Sequence, residues 1–211
     1  MNTSQFLPLG LAVALCATDV DAQTPCAIVQ DINTVPTGRS SNLSGDRQRE
    51  PGLHFARGFV KCGADWYFTA NTLSHGEEIW KSNGTPAGTV RVTDIAPGPN
   101  SSIISSITCI DIGAGPRLWF RANDGTTGTE LWTSDGTAAG TRLVRDIRAG
   151  SDSSSPNYME KLGNKVVFSA NDGTSGTELW ITDGTATGTM LLKDIRAGAS
   201  SSSPSYMLTN L

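Results

Sequence analysis

The chain of 211 residues carries 37% hydrophobic, 17% charged and 7% aromatic side chains, the composition of a soluble globular protein of one or two domains. Twenty acidic against sixteen basic side chains leave a net charge of −4, which offers no electrostatic footprint for a polyanion and excludes nucleic acid as an expected partner. Glycine is abundant at 23 residues, and the lack of long helix-forming runs points to a turn-rich β protein.

The chain opens with an apolar run from Phe6 to Ala17, too short to span a bilayer, followed by Val20-Asp21-Ala22 where a signal peptidase reads. Residues 1–22 are therefore read as a secretory signal, and the protein as secreted or displayed on the extracellular surface, with no membrane span. The leading residues contain no Lys or Arg, unlike the usual signal, so a wrongly chosen start codon is the alternative. Val13-Ala14-Leu15-Cys16 resembles a lipoprotein cleavage site, but Leu15 is larger than the residue such a site needs before the Cys. Residues 23–58 then hold an expected strand at 27–32 and a polar insertion. The stretch from Asn33 to His54 is rich in Gly, Pro and Arg and reads as a solvated loop, with Arg39, Arg47 and Arg49 as alternative contacts for an acidic partner. Cys26, Cys62 and Cys109 remain after cleavage. Their odd number and wide spacing exclude a dense disulfide framework and a C-x-x-C metal pair, leaving one bridge plus one thiol, or three small buried hydrophobes.

An internal repeat dominates the rest. Leu118 to Pro156 reads LWFRANDGTTGTELWTSDGTAAGTRLVRDIRAGSDSSSP, and Val166 to Pro204 reads VVFSANDGTSGTELWITDGTATGTMLLKDIRAGASSSSP. Phe120, Trp132, Asp146 and Ile147 recur 48 residues later as Phe168, Trp180, Asp194 and Ile195, and 52 residues earlier as Phe68, Trp80, Asp94 and Ile95. The units run over about 59–98, 104–150 and 157–198, with the start of a fourth at Pro204 to Leu211. Within a unit four short apolar stretches alternate with turn signals, as in Tyr158-Leu162, Lys165-Ala170, Thr177-Thr182 and Thr189-Ile195, so four strands per unit are predicted. Asp-Gly-Thr turns join the later strands, because Asp accepts from nearby backbone N–H groups and Gly supplies a positive φ.

In Leu118-Trp119-Phe120 and Val166-Val167-Phe168 successive residues are apolar although they point to opposite faces of a strand, so both faces of each sheet are expected to be buried. An all-β chain of repeated four-stranded antiparallel sheets, covered by one another, describes an open or partial β-propeller, with a β-solenoid as the alternative. The runs Glu130-Leu131-Trp132-Thr133-Ser134-Asp135-Gly136-Thr137 and Glu178-Leu179-Trp180-Ile181-Thr182-Asp183-Gly184-Thr185 resemble the ELWxxDGT repeat family, also labelled hyalin-like in bacterial proteins. Glu78-Ile79-Trp80-Lys81-Ser82-Asn83-Gly84-Thr85 is a degenerate copy, with Ile for Leu and Asn for Asp. The resemblance covers about 59–211 and implies an exported bacterial propeller-like repeat protein, without any established chemistry. Closed propellers need four to eight blades; with three units and a fraction, the reading favours a truncated chain or edges capped by self-association or further repeats.

Trp80, Trp132 and Trp180 recur at one strand position and read as packing between units, with sugar stacking as the alternative. Trp119, opposite Phe120, and Trp66 lack counterparts in the third copy and are the better ligand candidates. Glu78, Glu130 and Glu178 also recur, which suggests a structural hydrogen bond or ion pair. His54 and His75 are the only histidines, and His75-Gly76-Glu77-Glu78 lacks the second His of a zinc-protease helix. Each Asp-Gly-Thr loop offers one carboxylate, so turn capping accounts for it and no cofactor is expected, Ca²⁺ being the alternative. The Ser-rich connections Ser151–Ser155 and Ser200–Ser203 should share one end of the sheets with the loops at Asp124 and Asp172. That places Asp124, Arg148, Asp172 and Arg196, with Trp66 and Trp119, on the expected ligand face. The expected function is a secreted or cell-surface module that binds or adheres to a protein or glycan without catalysis. The alternatives are a fragment of a secreted propeller hydrolase or lyase, and a purely structural surface protein.

Overall fold

A computed structural model describes residues 57–205. It also describes the backbone of two short strands, β1 (Ala12–Leu15) and β2 (Ala27–Asp31), which pair antiparallel with each other. Apart from these strands, the expected signal segment, the polar insertion with His54, Cys26 and residues 206–211 of the expected fourth unit lie outside the described residues.

The described chain is all-β and consists of three four-stranded antiparallel sheets. The first holds β3 (Arg57–Cys62), β4 (Asp65–Thr72), β5 (Gly76–Ser82) and β6 (Val90–Arg91). The second holds β7 (Ser105–Asp111), β8 (Pro116–Asn123), β9 (Thr129–Ser134) and β10 (Arg142–Arg145). The third holds β11 (Asn157–Leu162), β12 (Lys165–Asn171), β13 (Thr177–Thr182) and β14 (Met190–Lys193). Strands follow sequence order across each sheet, as short turns demand. Among the described residues there is no helix, and no sheet closes on itself.

Local chemistry accounts for each reversal. In the β9–β10 turn, Thr137 donates to Asp135 Oδ1 from its backbone N–H at 3.0 Å and its hydroxyl at 2.7 Å, while the Thr137 hydroxyl accepts from Gly140 N at 2.9 Å. Asn83 does the same work for Thr85 in the first sheet, so Asn for Asp leaves the turn intact. Each first strand carries a bulge, at Gly58, Ser106 and Tyr158, all with positive φ.

The sheets pack face to face through equivalent residues. Val92 and Ile95 of the first sheet meet Leu118, Phe120 and Ala122 of the second, with Trp132 in the same cluster. Val144 and Ile147 of the second meet Val166, Phe168 and Ala170 of the third, with Trp180 among them. Trp132 and Trp180 thus fill the core at the two junctions, while Trp80 is half-buried and belongs to neither cluster. Leu192 and Ile195 stand where Val144 and Ile147 stand in the second sheet, yet are 45% and 56% exposed, because no further described sheet covers them. Turns also lock the sheets together. A Cβ on Gly136 would lie 2.0 Å from the Tyr67 hydroxyl, and one on Gly184 would lie 3.2 Å from the Trp119 ring, so only glycine lets each turn slide under the preceding sheet. Lys81 Nζ donates to the Gly136 carbonyl at 3.0 Å and Arg142 to the Gly184 carbonyl at 3.1 Å.

The first strands of neighbouring sheets, β3 with β7 and β7 with β11, lie against one another. Cys62 and Cys109 form a disulfide there, with Cα atoms 5.4 Å apart.

Candidate functional site

Four of the six expected site residues gather at one end of the sheets. The hairpin from Asn123 to Thr129 and the connector after β10 touch directly: Thr129 N donates to Ser153 Oγ at 2.9 Å and Ser155 N to Thr129 O at 3.1 Å. Gly128 permits this approach, since a Cβ there would lie 2.2 Å from the Asp152 carbonyl oxygen. Arg148 pairs with Asp152 at 3.0 Å and lies over Gly173, its Nε 3.2 Å from where a Cβ would be. The guanidinium of one unit therefore borders the Asp172 turn of the next. Arg196 holds the corresponding place after β14 and is exposed.

The carboxylates of this rim are engaged in their own turns. Asp124 Oδ1 accepts from the backbone N–H groups of Thr126 and Thr127 at 2.8 Å, and from both hydroxyls. Burial opposes its charge, but the hydrogen bonds outweigh it and hold Asp124 below the usual carboxylate range. Asp172 accepts likewise from Thr174 and Ser175 and is lowered for the same reasons. Neither is poised to take up a proton near neutral pH. Among the described residues no group of three or more His, Cys, Asp or Glu comes together to hold a metal ion.

The other two expected residues lie elsewhere. Trp119 is fully buried in the core between the second and third sheets and donates its indole N–H to the Ile110 carbonyl at 3.3 Å. It is a packing residue and not part of a ligand face, because the third sheet covers the side of β8 opposite Phe120. Trp66 is half-buried at the opposite end of β4, beside the turn that joins β3 to β4, with the Lys61 ammonium 5.9 Å from its ring centroid. It belongs to no common surface with Asp124 and Arg148. His75 sits in the corresponding first-sheet hairpin, with Ser74 Oγ at 2.8 Å and Asp94 at 4.0 Å.

The recurring glutamates explain how this rim is held. Glu130, fully buried, accepts from Ser154 N at 2.8 Å, Ser154 Oγ at 2.5 Å and Ile147 N at 3.1 Å. Glu178 makes the same three bonds to Ser202 and Ile195; Glu78 binds Ser102 Oγ, Ile95 N and Ala96 N. Each carboxylate clamps the connector that leaves its own sheet, and the connector in turn bonds the next: Asn123 N donates to Ser102 O at 2.7 Å and Asn171 N to Ser154 O at 3.0 Å. Burial pushes the carboxyls of Glu78 and Glu130 above their ordinary range, against the hydrogen bonds that lower them. At Glu178 burial is again the largest influence, but the third sheet has no described sheet beyond it, and hydrogen bonds from Ser202 and Ile195 bring the carboxyl below that range. In sequence the Ser-rich stretches read as connections at the expected ligand face, with no part in holding the sheets. The signal for their role was the constant spacing from Glu78, Glu130 and Glu178 to Ser102, Ser154 and Ser202.

A second feature had no such signal. A cavity of about 260 Å³ opens between β3 and β7, bordered by Gly58, Glu77 and the run from Ile104 to Ile107. No family model, curated protein or solved structure matches this chain.

Proposed function

We propose that the protein is an exported or surface-displayed, non-catalytic binding module of the ELWxxDGT type, whose sheets are successive blades of an open β-propeller. Contact between the first strands of neighbouring sheets supports that arrangement, since inner strands approach one another around a propeller axis. The Cys62–Cys109 disulfide fits an oxidising compartment outside the cytoplasm. The observation that carries the binding role is the rim itself. Clamped connectors and capped turns set Arg148 and the Asp172 turn of adjacent units side by side, and Arg196 holds the position equivalent to Arg148 in the third unit. A rigid, partly charged edge of this kind holds its polar groups in place before a protein or glycan arrives, so little ordering entropy is lost on binding.

The test is to probe the purified chain on arrays of glycans and of extracellular proteins, alongside the double variant Arg148→Glu/Arg196→Glu. Retained binding that falls at least tenfold in the variant is expected. Turnover of a polysaccharide or ester that one carboxylate substitution abolishes would overturn the non-catalytic reading.

A further inference from the structure

Among the turns that join the third and fourth strands of each sheet, the first differs from the other two in sequence and in surroundings. Residue 83 is Asn where the later units carry Asp135 and Asp183, and Asn83-Gly84 is the one Asn-Gly pair in the chain. Gly136 and Gly184 are buried, each against an aromatic side chain of the preceding sheet, Tyr67 or Trp119. Gly84 is exposed, and a Cβ built on it would meet nothing within 4 Å. The turn that carries an amide is therefore the one of the three with room for its backbone to move.

Asparagine followed by glycine is prone to a reaction within its own backbone. The nitrogen of the next residue attacks the side-chain carbonyl, and glycine, without a Cβ, puts the least bulk in the way. In this turn the electrophile is already polarised. Asn83 Oδ1 accepts from Thr85 N at 3.1 Å and from the Thr85 hydroxyl at 2.7 Å, and the backbone N–H donor fixes this atom as the oxygen of the amide. The Thr85 hydroxyl is itself oriented, because it accepts from Gly88 N at 3.0 Å. Two donors on the oxygen that becomes negative during attack form a small oxyanion hole. The nucleophile, Gly84 N, donates to Ser82 Oγ at 3.1 Å and leaves that bond to attack. The later turns hold the equivalent bond at 3.0 and 2.9 Å, and they bury the glycine that would have to shift.

We propose that Asn83 is a self-modifying site that loses its side-chain amide by attack of Gly84 N. The Gly84 amide gives its proton to a solvent base, the bond from Gly84 N to Asn83 Cγ forms, and the Cγ–Nδ2 bond breaks to release ammonia, which takes a proton from water. The five-membered imide then adds one water. Opening at the side-chain carbonyl leaves aspartate at position 83, and opening at the backbone carbonyl leaves isoaspartate, with the main chain routed through the side chain. No oxidant or reductant enters. The turn accommodates the two products unequally. Aspartate retains both Thr85 bonds, as Asp135 does with Thr137 and Asp183 with Thr185, and the threonine hydrogen bonds hold both of those carboxyls below the usual range. The first unit thereby acquires the Asp-Gly-Thr turn of the other two. Isoaspartate adds a methylene to the main chain, which displaces the carboxylate from the Thr85 donors and loosens the turn into β6.

The test follows the full chain by peptide mass spectrometry during incubation at neutral and at mildly alkaline pH, with fragmentation that separates aspartate from isoaspartate. Three variants accompany the parent. Thr85→Val removes the hydroxyl, Thr85→Ser keeps it, and Asp135→Asn builds the same Asn-Gly-Thr turn beneath Tyr67; thermal unfolding is recorded for each. In the folded parent Asn83 is converted ahead of every other asparagine, and faster at the higher pH. Conversion slows at least threefold in Thr85→Val and is restored in Thr85→Ser. In Asp135→Asn the introduced amide is lost at least fivefold more slowly than that of Asn83 in the same molecule. In urea the two Asn-Gly pairs react at similar rates, so a difference confined to the folded chain belongs to the structure. An Asn83 amide that outlasts those of other asparagines in the folded chain overturns the site. Equal or faster conversion in folded Thr85→Val overturns the oxyanion hole, and equal rates at positions 83 and 135 overturn the role of the open turn.

Discussion

Replacing Glu130 by Ala is the most direct test of how this chain holds its sheets together. The side chain is 0% exposed and its partner Ser154 is 1% exposed, so water has little access to the groups that truncation would strand. Three donors lose their acceptor: Ile147 N–H, Ser154 N–H and the Ser154 hydroxyl. A buried donor left unpaired costs about 1–3 kcal/mol. The hydroxyl can rotate toward another acceptor, so the two amides set the scale, and a loss of about 3–5 kcal/mol is expected once the emptied volume is included. That is a large share of a total stability of about 5–15 kcal/mol. Glu130→Gln preserves shape and one oxygen but turns an NH₂ group toward an N–H donor, and should fall between, at about 2 kcal/mol. Urea denaturation of the three proteins measures the series, and hydrogen exchange reports the amides of Ile147 and Ser154 directly. A loss below about 1 kcal/mol for Glu130→Ala, with unchanged protection at both amides, would refute the clamp.

Further expectations follow from the same geometry. Reducing the Cys62–Cys109 disulfide, which closes a loop of sequence separation 47, should cost about 4 kcal/mol by chain entropy and lower Tm by about 10 °C; calorimetry with and without reductant checks this, and a shift below about 2 °C would refute it. Trp119→Ala should destabilise by about 3–5 kcal/mol as a buried aromatic, whereas Trp66→Ala at its half-buried site should cost under half as much; equal losses in thermal denaturation would contradict the placement of Trp119 in the core. For pH, Asp124 and Asp172 are lowered in the folded state, so their contribution is present above the ordinary carboxylate range and is lost as pH falls through their folded values. Glu130 is raised, so its protonation-linked term has the opposite sign: it favours folding below the ordinary range and is lost as pH rises through its folded value. Urea midpoints across acid pH should therefore fall less steeply on acidification for Asp124→Asn than for the parent, and more steeply for Glu130→Gln. Matching slopes in all three would rule out these linkages.

Periodicity, turn chemistry and apolar runs determine the strands because they act within a few residues. Asp-Gly-Thr loops cap themselves, adjacent apolar residues in Leu118-Trp119-Phe120 announce sheets buried on both faces, and the recurrence of Trp132 and Trp180 locates the packing between units. The shared end of the connectors and the Asp124 and Asp172 hairpins is also legible, since alternating antiparallel strands return the chain to the same edge. Other features depend on which sheet lies against which, and that is decided only in three dimensions. Trp119 looks like a free aromatic in one dimension, yet the third sheet covers it. Trp66 and Asp124 look like members of one face, yet they lie at opposite ends of equivalent strands. Glu130 and Ser154, far apart along the chain, meet because β10 carries the connector back past β9, where a buried carboxylate must find donors. The pairing of Cys62 with Cys109 and the opening beside Gly58 arise where two first strands come together, a contact between units that leaves no periodic trace in the sequence of either.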